Sequence, residues 1–235
     1  MKYDRVIQGT FIDRPNRFIA NVRIRGEGDV PDSDPIVRVH VKNTGRCREL
    51  LVPGAEVYLS VPDNRSRSTA YDLIAVRKGN RLINMDSQIP NDVAAEGLAH
   101  VPFFSDVTSM RREFAYGDSR IDIMAEAPGK RYLVEVKGVT LEDNGVVRFP
   151  DAPTERGVKH IRELMHSLKD GYIPCLLFVI QMDDVLYFEP NRATDPDFAD
   201  ALKEASEAGV NILAYTCHVT PDSIILKDPV EVRLI

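Results

Sequence analysis

The sequence predicts a mixed α/β (α+β) protein in two parts, a small β-barrel followed by an α/β domain, and three observations lead there. About five short segments in the first 82 residues alternate apolar and polar side chains, the period of a half-buried strand. From Ile83 onward the pattern changes to strands mixed with stretches of helical spacing. The charge divides at the same place: residues 1–82 hold 15 Lys+Arg against 10 Asp+Glu, a net +5, whereas residues 83–235 hold 15 against 26, a net −11.

The barrel strands are expected at Asp4 to Phe11, Phe18 to Arg25, Ile36 to Lys42, Ala55 to Val61 and Tyr71 to Arg77. Val37, Val39 and Val41 would face a core, with Arg38, His40 and Lys42 opposite. Five such strands in under 85 residues suit an OB-like barrel, a frequent binder of oligonucleotides, or an SH3-like one. The segment INMDSQIPND makes the junction between domains 1–82 and 83–235. Asn91 to His100 reads as a helix opened by an Asn-Asp cap. Strands follow at Thr108 to Ala115, Ser119 to Ala125 and Arg131 to Val139, with glycine turns between them. Val158, Ile161, Leu164, Met165 and Leu168 recur at helical spacing. Pro174 to Ile180 is apolar throughout, as a strand buried on both faces should be. A helix near Pro196 to Ala208, a Gly209 stop and a strand at Val210 to Tyr215 complete the second part.

Composition excludes several classes of function. Cys47, Cys175 and Cys217 form no CxxC pair and leave an odd number, so neither a disulfide partner nor a cysteine zinc site is implied, and a reducing, cytoplasmic location is expected. No apolar run approaches the length needed to span a bilayer, and the N-terminus lacks the layout of a secretory signal, so no membrane partner is expected. The five histidines show no paired ligand spacing. Walker A, GxSxG and dinucleotide fingerprints are absent, which makes triphosphate, acyl-transfer and NAD chemistry poor candidates. A basic half beside an acidic half suits a protein that holds phosphates with one and gathers a divalent cation with the other.

The informative stretch is GDSRID at residues 117–122, followed by VEVKG at 134–138. Asp122 falls on one strand of a hairpin, and Glu135 and Lys137 fall two apart on the next, so the latter two share a face. An acid and a lysine among apolar neighbours are costly to bury unless something pairs with them. An oxygen-liganded Mg²⁺ or Mn²⁺ would account for all three, with Asp122, Glu135 and the Val136 carbonyl as ligands and Lys137 orienting or deprotonating a water. A buried ion pair that merely holds the hairpin would use the same residues. In the barrel, Arg23, Arg25, Arg38 and Lys42 form the expected DNA face, and the loop Asn43-Thr44-Gly45-Arg46 would meet phosphate through its backbone N–H groups and Arg46.

An Asp, about a dozen residues, then Glu-x-Lys on adjacent strands resembles the PD-(D/E)XK nuclease superfamily. That resemblance implies a restriction-endonuclease-like mixed sheet, an acid on the preceding helix, where Glu96 is available, and polar residues on the following helix, where Thr154, Arg156, Lys159 and His160 are available; Arg120 of GDSRID is a further expected DNA-binding residue. The strings VHVKNTGRCRELLVPG, YGDSRIDIM, YLVEVKGVTL and FPDAPTERGVKH, in this order, resemble the sugar fermentation stimulation protein family, with Cys47 standing where that family commonly has Met. This likeness implies an OB-like domain followed by a PD-(D/E)XK-like one, DNA binding and a link to regulation of sugar-utilisation genes; the partner expected is duplex DNA. The chemistry expected is Mg-dependent phosphodiester hydrolysis. The rival readings are a non-catalytic DNA-binding regulator and an RNA-binding scaffold, and the C-terminal strands leave a homodimer open.

Overall fold

The computed structural model describes residues 1–24, 34–43, 45–62 and 67–234. The first five strands are β1 (Val6–Asn16), β2 (Ile19–Ile24), β3 (Ile36–Val41), β4 (Glu56–Ser60) and β5 (Asp72–Lys78). They run in the order β3-β2-β1-β4-β5 and close through parallel pairing of His40 with Asp72 and Val41 with Leu73. This is the expected OB-like barrel. The alternation decides which side faces in: Val39 and Val41 are buried and Arg38 is exposed, and Phe11, Ala20, Val22, Val57 and Leu59 join them in the core. β1 bends around the barrel through register shifts at Phe11/Asp13 and Asp13/Asn16, which locally increase twist. Gly9 is required by packing, since a Cβ there would lie 2.5 Å from Val22 Cγ1. β6 (Arg81–Asn84) adds a hairpin to β5.

The second domain is a six-stranded mixed sheet flanked by helices. Its strands are β7 (Ser109–Tyr116), β8 (Ser119–Ala127), β9 (Lys130–Val139), β12 (Ile173–Ile180), β14 (Asn211–Thr220) and β15 (Ser223–Pro229), in the order β15-β14-β12-β9-β8-β7. The central β9, β12 and β14 are parallel, and a hairpin closes each edge. β12 shows why its sequence is apolar throughout. Leu176, Phe178 and Ile180 pack with Ile161, Leu164, Phe198 and Leu202 of α2 (Glu155–Ser167) and α3 (Pro196–Ala208). The alternate Cys175, Leu177 and Val179 pack with Val93 and Leu98 on the other face, the side of α1 (Pro90–Gly97). α2 is capped by Thr154 Oγ1, which accepts from Gly157 N at 3.0 Å, and α3 ends at Gly209 in the left-handed conformation (φ 104°). Among the described residues no helix is long and apolar enough to cross a membrane.

Two elements differ from expectation. α1 begins at Pro90, with Ile89 at the N-cap and no side-chain cap; a proline at the first helical position serves the start instead of the Asn-Asp pair, because its missing N–H would be unsatisfied there anyway. Beyond Gly97 the chain tightens into a 3-10 turn, Leu98–His100. The structure also adds a small sheet of β10 (Leu141–Asp143), β11 (Val146–Phe149) and β13 (Tyr187–Pro190) that the periodicity does not predict. Its hairpin turns at Asn144 (φ 52°) and Gly145 (φ 83°), the positive-φ pair that two-residue hairpins favour.

The two domains share one continuous core and are latched by polar contacts. Glu142, 4 % exposed, lies on β10, accepts from Lys78 Nζ on β5 at 2.8 Å and Gly145 N at 2.6 Å, and is ion-paired with Arg81 Nη1 on β6 at 3.0 Å. Gln181 Nε2, past the end of β12, donates to Asn84 Oδ1 and the Asp86 carbonyl. Burial pushes the Glu142 carboxyl up, but the hydrogen bonds from Lys78 and Gly145 and the charges of Lys78 and Arg81 outweigh it and hold the group below the ordinary range. A depressed carboxyl stabilises the fold above its unfolded value and loses that contribution as pH falls through its folded one. Glu142→Gln should therefore lower the unfolding free energy by about 2 kcal/mol at pH 7, measured by urea denaturation, and the gap to wild type should close below about pH 4.

Candidate active site

β8 and β9 pair from Ala127↔Lys130 only as far as Ile123↔Val134, while β8 stays paired with β7 through Ser119. The two strands thus part just where the acids stand. In the opening, Asp122 Oδ2 accepts the Val136 N–H at 2.7 Å, replacing the missing ladder bond, and Oδ1 accepts from Asn91 Nδ2 of α1 at 2.7 Å. In an extended strand the N–H and C=O of one residue point to the same side, so the Val136 carbonyl faces the same opening.

Glu135 and Lys137 lie on the α2 face of β9, opposite Leu176 and Phe178 of β12. Glu135 is 1 % exposed. Its Oε1 accepts from Lys137 Nζ at 2.6 Å and meets His160 Nδ1 of α2. Arg156 Nε donates to His160 Nε2 at 3.3 Å, which makes that nitrogen the acceptor and assigns the ring proton to Nδ1, donated to Glu135. The other carboxylate oxygen, Glu135 Oε2, is buried without a partner. The two acids are set apart electrostatically. Burial, reinforced by the Glu135 charge, pushes Asp122 up. Burial also raises Glu135, but the His160 hydrogen bond and the Lys137 ammonium outweigh it and hold that carboxyl below its ordinary range.

The unpartnered Glu135 oxygen, the Asp122 carboxylate that feels its charge and the Val136 carbonyl are hard oxygen donors on neighbouring strands. They fit Mg²⁺ or Mn²⁺, which keep several waters and bind few protein carboxylates. No group of three His, Cys, Asp or Glu side chains forms a ready-made cage among the described residues, so the rest of a shell would be water or phosphate.

Other expected site residues lie differently. Glu96 is 61 % exposed and paired with the N-terminal ammonium, which also donates to the Ile224 carbonyl of β15. That places it at the β15 edge, four strands from β8, and the residue of α1 that reaches Asp122 is Asn91. The sequence marks Asn91 only as a cap; its place in the first turn of the helix ahead of the Asp122 strand is the signal that points to it. His160 is buried against Glu135 rather than open to phosphate. Arg156 is exposed except for its bond to His160, Lys159 pairs with Glu163 at 3.5 Å, and Arg120 is exposed on β8 opposite Ala115.

In the barrel, Arg23 and Arg38 are exposed and diagonal to one another across β2 and β3, whereas Arg25 and Thr44 lie outside the described residues. Lys42 leaves the expected face: it is 18 % exposed, and its ammonium lies 2.6 Å from Asp86, which is fully buried. Asn43 and the described backbone N–H groups beside it are likewise committed internally, while the Arg46 side chain is exposed. Asn43 donates to the Met85 carbonyl and accepts from Gly45 N, and the N–H groups of Arg46 and Cys47 point at Asp151 Oδ2. A carboxylate stands where the sequence predicts a phosphate.

Two family profiles match the chain in tandem, one described as the SfsA N-terminal OB domain over residues 12–85 and one as the sugar fermentation stimulation protein RE domain over residues 88–223. Proteins named sugar fermentation stimulation protein homolog are 51 % identical in Clostridium beijerinckii, over the whole of both chains, and 52 % identical in Desulfitobacterium hafniense, over the whole of this chain and 99 % of that one. The structure of Pyrococcus furiosus SfsA in complex with Ca²⁺ superposes with a TM-score of 0.85 at 28 % identity, covering 99 % of this chain and 98 % of that one. With both domains matched in order and relatives above half identity along the full length, the chain belongs to the sugar fermentation stimulation protein family.

Proposed function

We propose that this protein binds DNA in the cytoplasm and hydrolyses a phosphodiester bond at the Asp122, Glu135 and Lys137 site with a bound Mg²⁺ or Mn²⁺. The observation that carries the reading is Glu135 Oε2, an acceptor held out of water with nothing to accept from. Leaving a carboxylate oxygen unsatisfied costs about 1–3 kcal/mol, a cost that a cation would remove. The Ca²⁺ complex of the Pyrococcus furiosus relative supports it. Asp122, Glu135 and the Val136 carbonyl would hold the ion, which supplies Lewis-acid stabilisation of the charge that develops on the phosphate. Lys137, held as an ammonium by Glu135, would orient the attacking water and stabilise the charge that develops on the phosphate, while the bound ion would make that water more acidic. His160 holds Glu135 through Oε1, so that Oε2 keeps one direction. Arg23 and Arg38 on the outer barrel face meet backbone phosphates of a duplex, and Arg120 and Arg156 are exposed cations on the second domain. Domains 1–82 and 83–235 divide the work between holding the strand and cutting it.

Three measurements test this reading. Labelled single-stranded, duplex and branched DNA incubated with Mg²⁺ or Mn²⁺ should be cleaved by the wild type and not in EDTA, with the Glu135→Ala, Lys137→Ala double variant slower by at least about 10²-fold. DNA binding by both proteins with no cleavage by either would make the chain a non-catalytic regulator. Arg23→Glu with Arg38→Glu should weaken duplex binding and flatten its dependence on log salt, by about 0.9 for each phosphate left unneutralised. Finally, urea denaturation in EDTA separates a site kept for metal from an ion pair kept for the fold. Asp122→Asn should leave stability unchanged or raise it, because it removes a buried charge beside Glu135 while Asn91 can turn its amide to match. His160→Ala should cost about 1.5–3 kcal/mol.

A further inference from the structure

Two cavities meet at Pro153 and Thr154, where the α2 N-terminus begins. The larger, about 1090 Å³ between α2, α3 and the β7–β8 turn, has many carboxylates in its wall, Asp118, Glu155, Asp197 and Asp200 among them. It repels a polyanion. The smaller, about 450 Å³, lies between the barrel and the second domain and has Arg17 and Arg148 in its wall against one carboxylate, Asp151, which is turned to the N–H groups of Arg46 and Cys47. Its lining includes Gly138, the residue after Lys137, and Gln181, just past the end of β12. It therefore opens at the carboxyl ends of the parallel strands that carry the site, the usual ligand position in open α/β sheets.

The chemistry of this cleft suits one nucleotide. Arg17 stands at the tip of the β1–β2 hairpin, exposed, and no ion pair to its guanidinium is formed among the described residues. Arg148 is oriented by its Nε bond to Glu189 at 2.7 Å. Leu141, Phe149 and Pro150 contribute apolar wall to the same cleft. Phe149 puts an aromatic ring in the wall itself, and Phe18, next to Arg17 in the chain, is 51 % exposed. Cationic groups with aromatic faces are how unpaired strands are held. The volume is at the small end of what holds a small ligand, about 300–1,000 Å³, which accommodates a nucleotide and excludes a stacked base pair.

We propose that the interdomain cleft takes one unpaired nucleotide of the substrate strand, adjoining the phosphate presented to Glu135 and Lys137, with Arg17 and Arg148 on its phosphates and Phe149 against its base. The preferred substrate is then DNA with a single-stranded end or flap rather than blunt duplex. This rests on the nuclease reading for what happens at the neighbouring phosphate, but the cleft itself is tested without turnover.

Fluorescence anisotropy in EDTA, with single-stranded, blunt-duplex and overhang-bearing DNA of one sequence and the RNA strand beside them, reads the preference. The wild type should bind single-stranded and overhang DNA about tenfold more tightly than blunt duplex, the equivalent of one stacked base. Arg17→Glu should abolish that preference while leaving blunt-duplex affinity within about twofold, and Arg148→Ala should reduce it. Equal affinity for blunt and overhang DNA, or a preference that survives Arg17→Glu, would overturn the proposal. Tighter binding of the RNA strand than of the DNA strand would overturn its assignment to DNA. A wild type that shows the preference and cleaves nothing with Mg²⁺ or Mn²⁺ keeps the cleft and loses the nuclease reading, whereas cleavage without the preference does the reverse.

Discussion

The Glu135 carboxylate sits in the layer between the central sheet and α2, in register with Leu176 on β12. A charge so placed costs several kcal/mol unless it is compensated, and its compensation organises much of the second domain. Lys137, two residues on, supplies one partner from the same strand. His160 supplies the other from α2, so that the helix is pinned to β9 by a polar contact as well as by Ile161 and Leu164. Asp122 then reaches across the parted strands to the Val136 N–H. The polar docking of α2 and the orientation of the histidine ring both follow from accommodating this one group.

Much of the architecture is legible in the sequence because periodicity and burial coincide here. β3 alternates as a barrel strand with one wet face must, and β12 is apolar throughout because α2 with α3 and α1 cover its two sides. Asp122, Glu135 and Lys137 stand out because charged residues inside apolar strands demand a reason. β10, β11 and β13 escape notice because strands of three or four residues carry too few alternations to register, although Asn144-Gly145 between the first two is a usable signal.

The misplacements have a common cause. Residue type and neighbourhood in sequence suggest roles for Glu96, Lys42 and the 43–46 loop, while their partners lie far along the chain: the N-terminal ammonium and β15 for Glu96, Asp86 for Lys42, Asp151 for the backbone of Arg46 and Cys47. His160 is expected to face solvent phosphate, yet it falls on the same helical stripe as Leu164 and turns inward. Sequence shows that such groups need partners; only the packing of one domain on the other shows which partners they have.

The path of the chain between domains has a mechanical consequence. Before entering the barrel, the N-terminal segment is already tied to the second domain, with Tyr3 N donating to the Asp222 carbonyl and Lys2 bridged to Ser223. The chain returns to that domain after β6, so the barrel is held at both its entrance and its exit, and Glu142 clamps β5 and β6 from a third direction. A body tethered by a single linker can swing; one fastened at three separated points cannot. The gap between the domains is thus a slot whose width is set by these three fastenings.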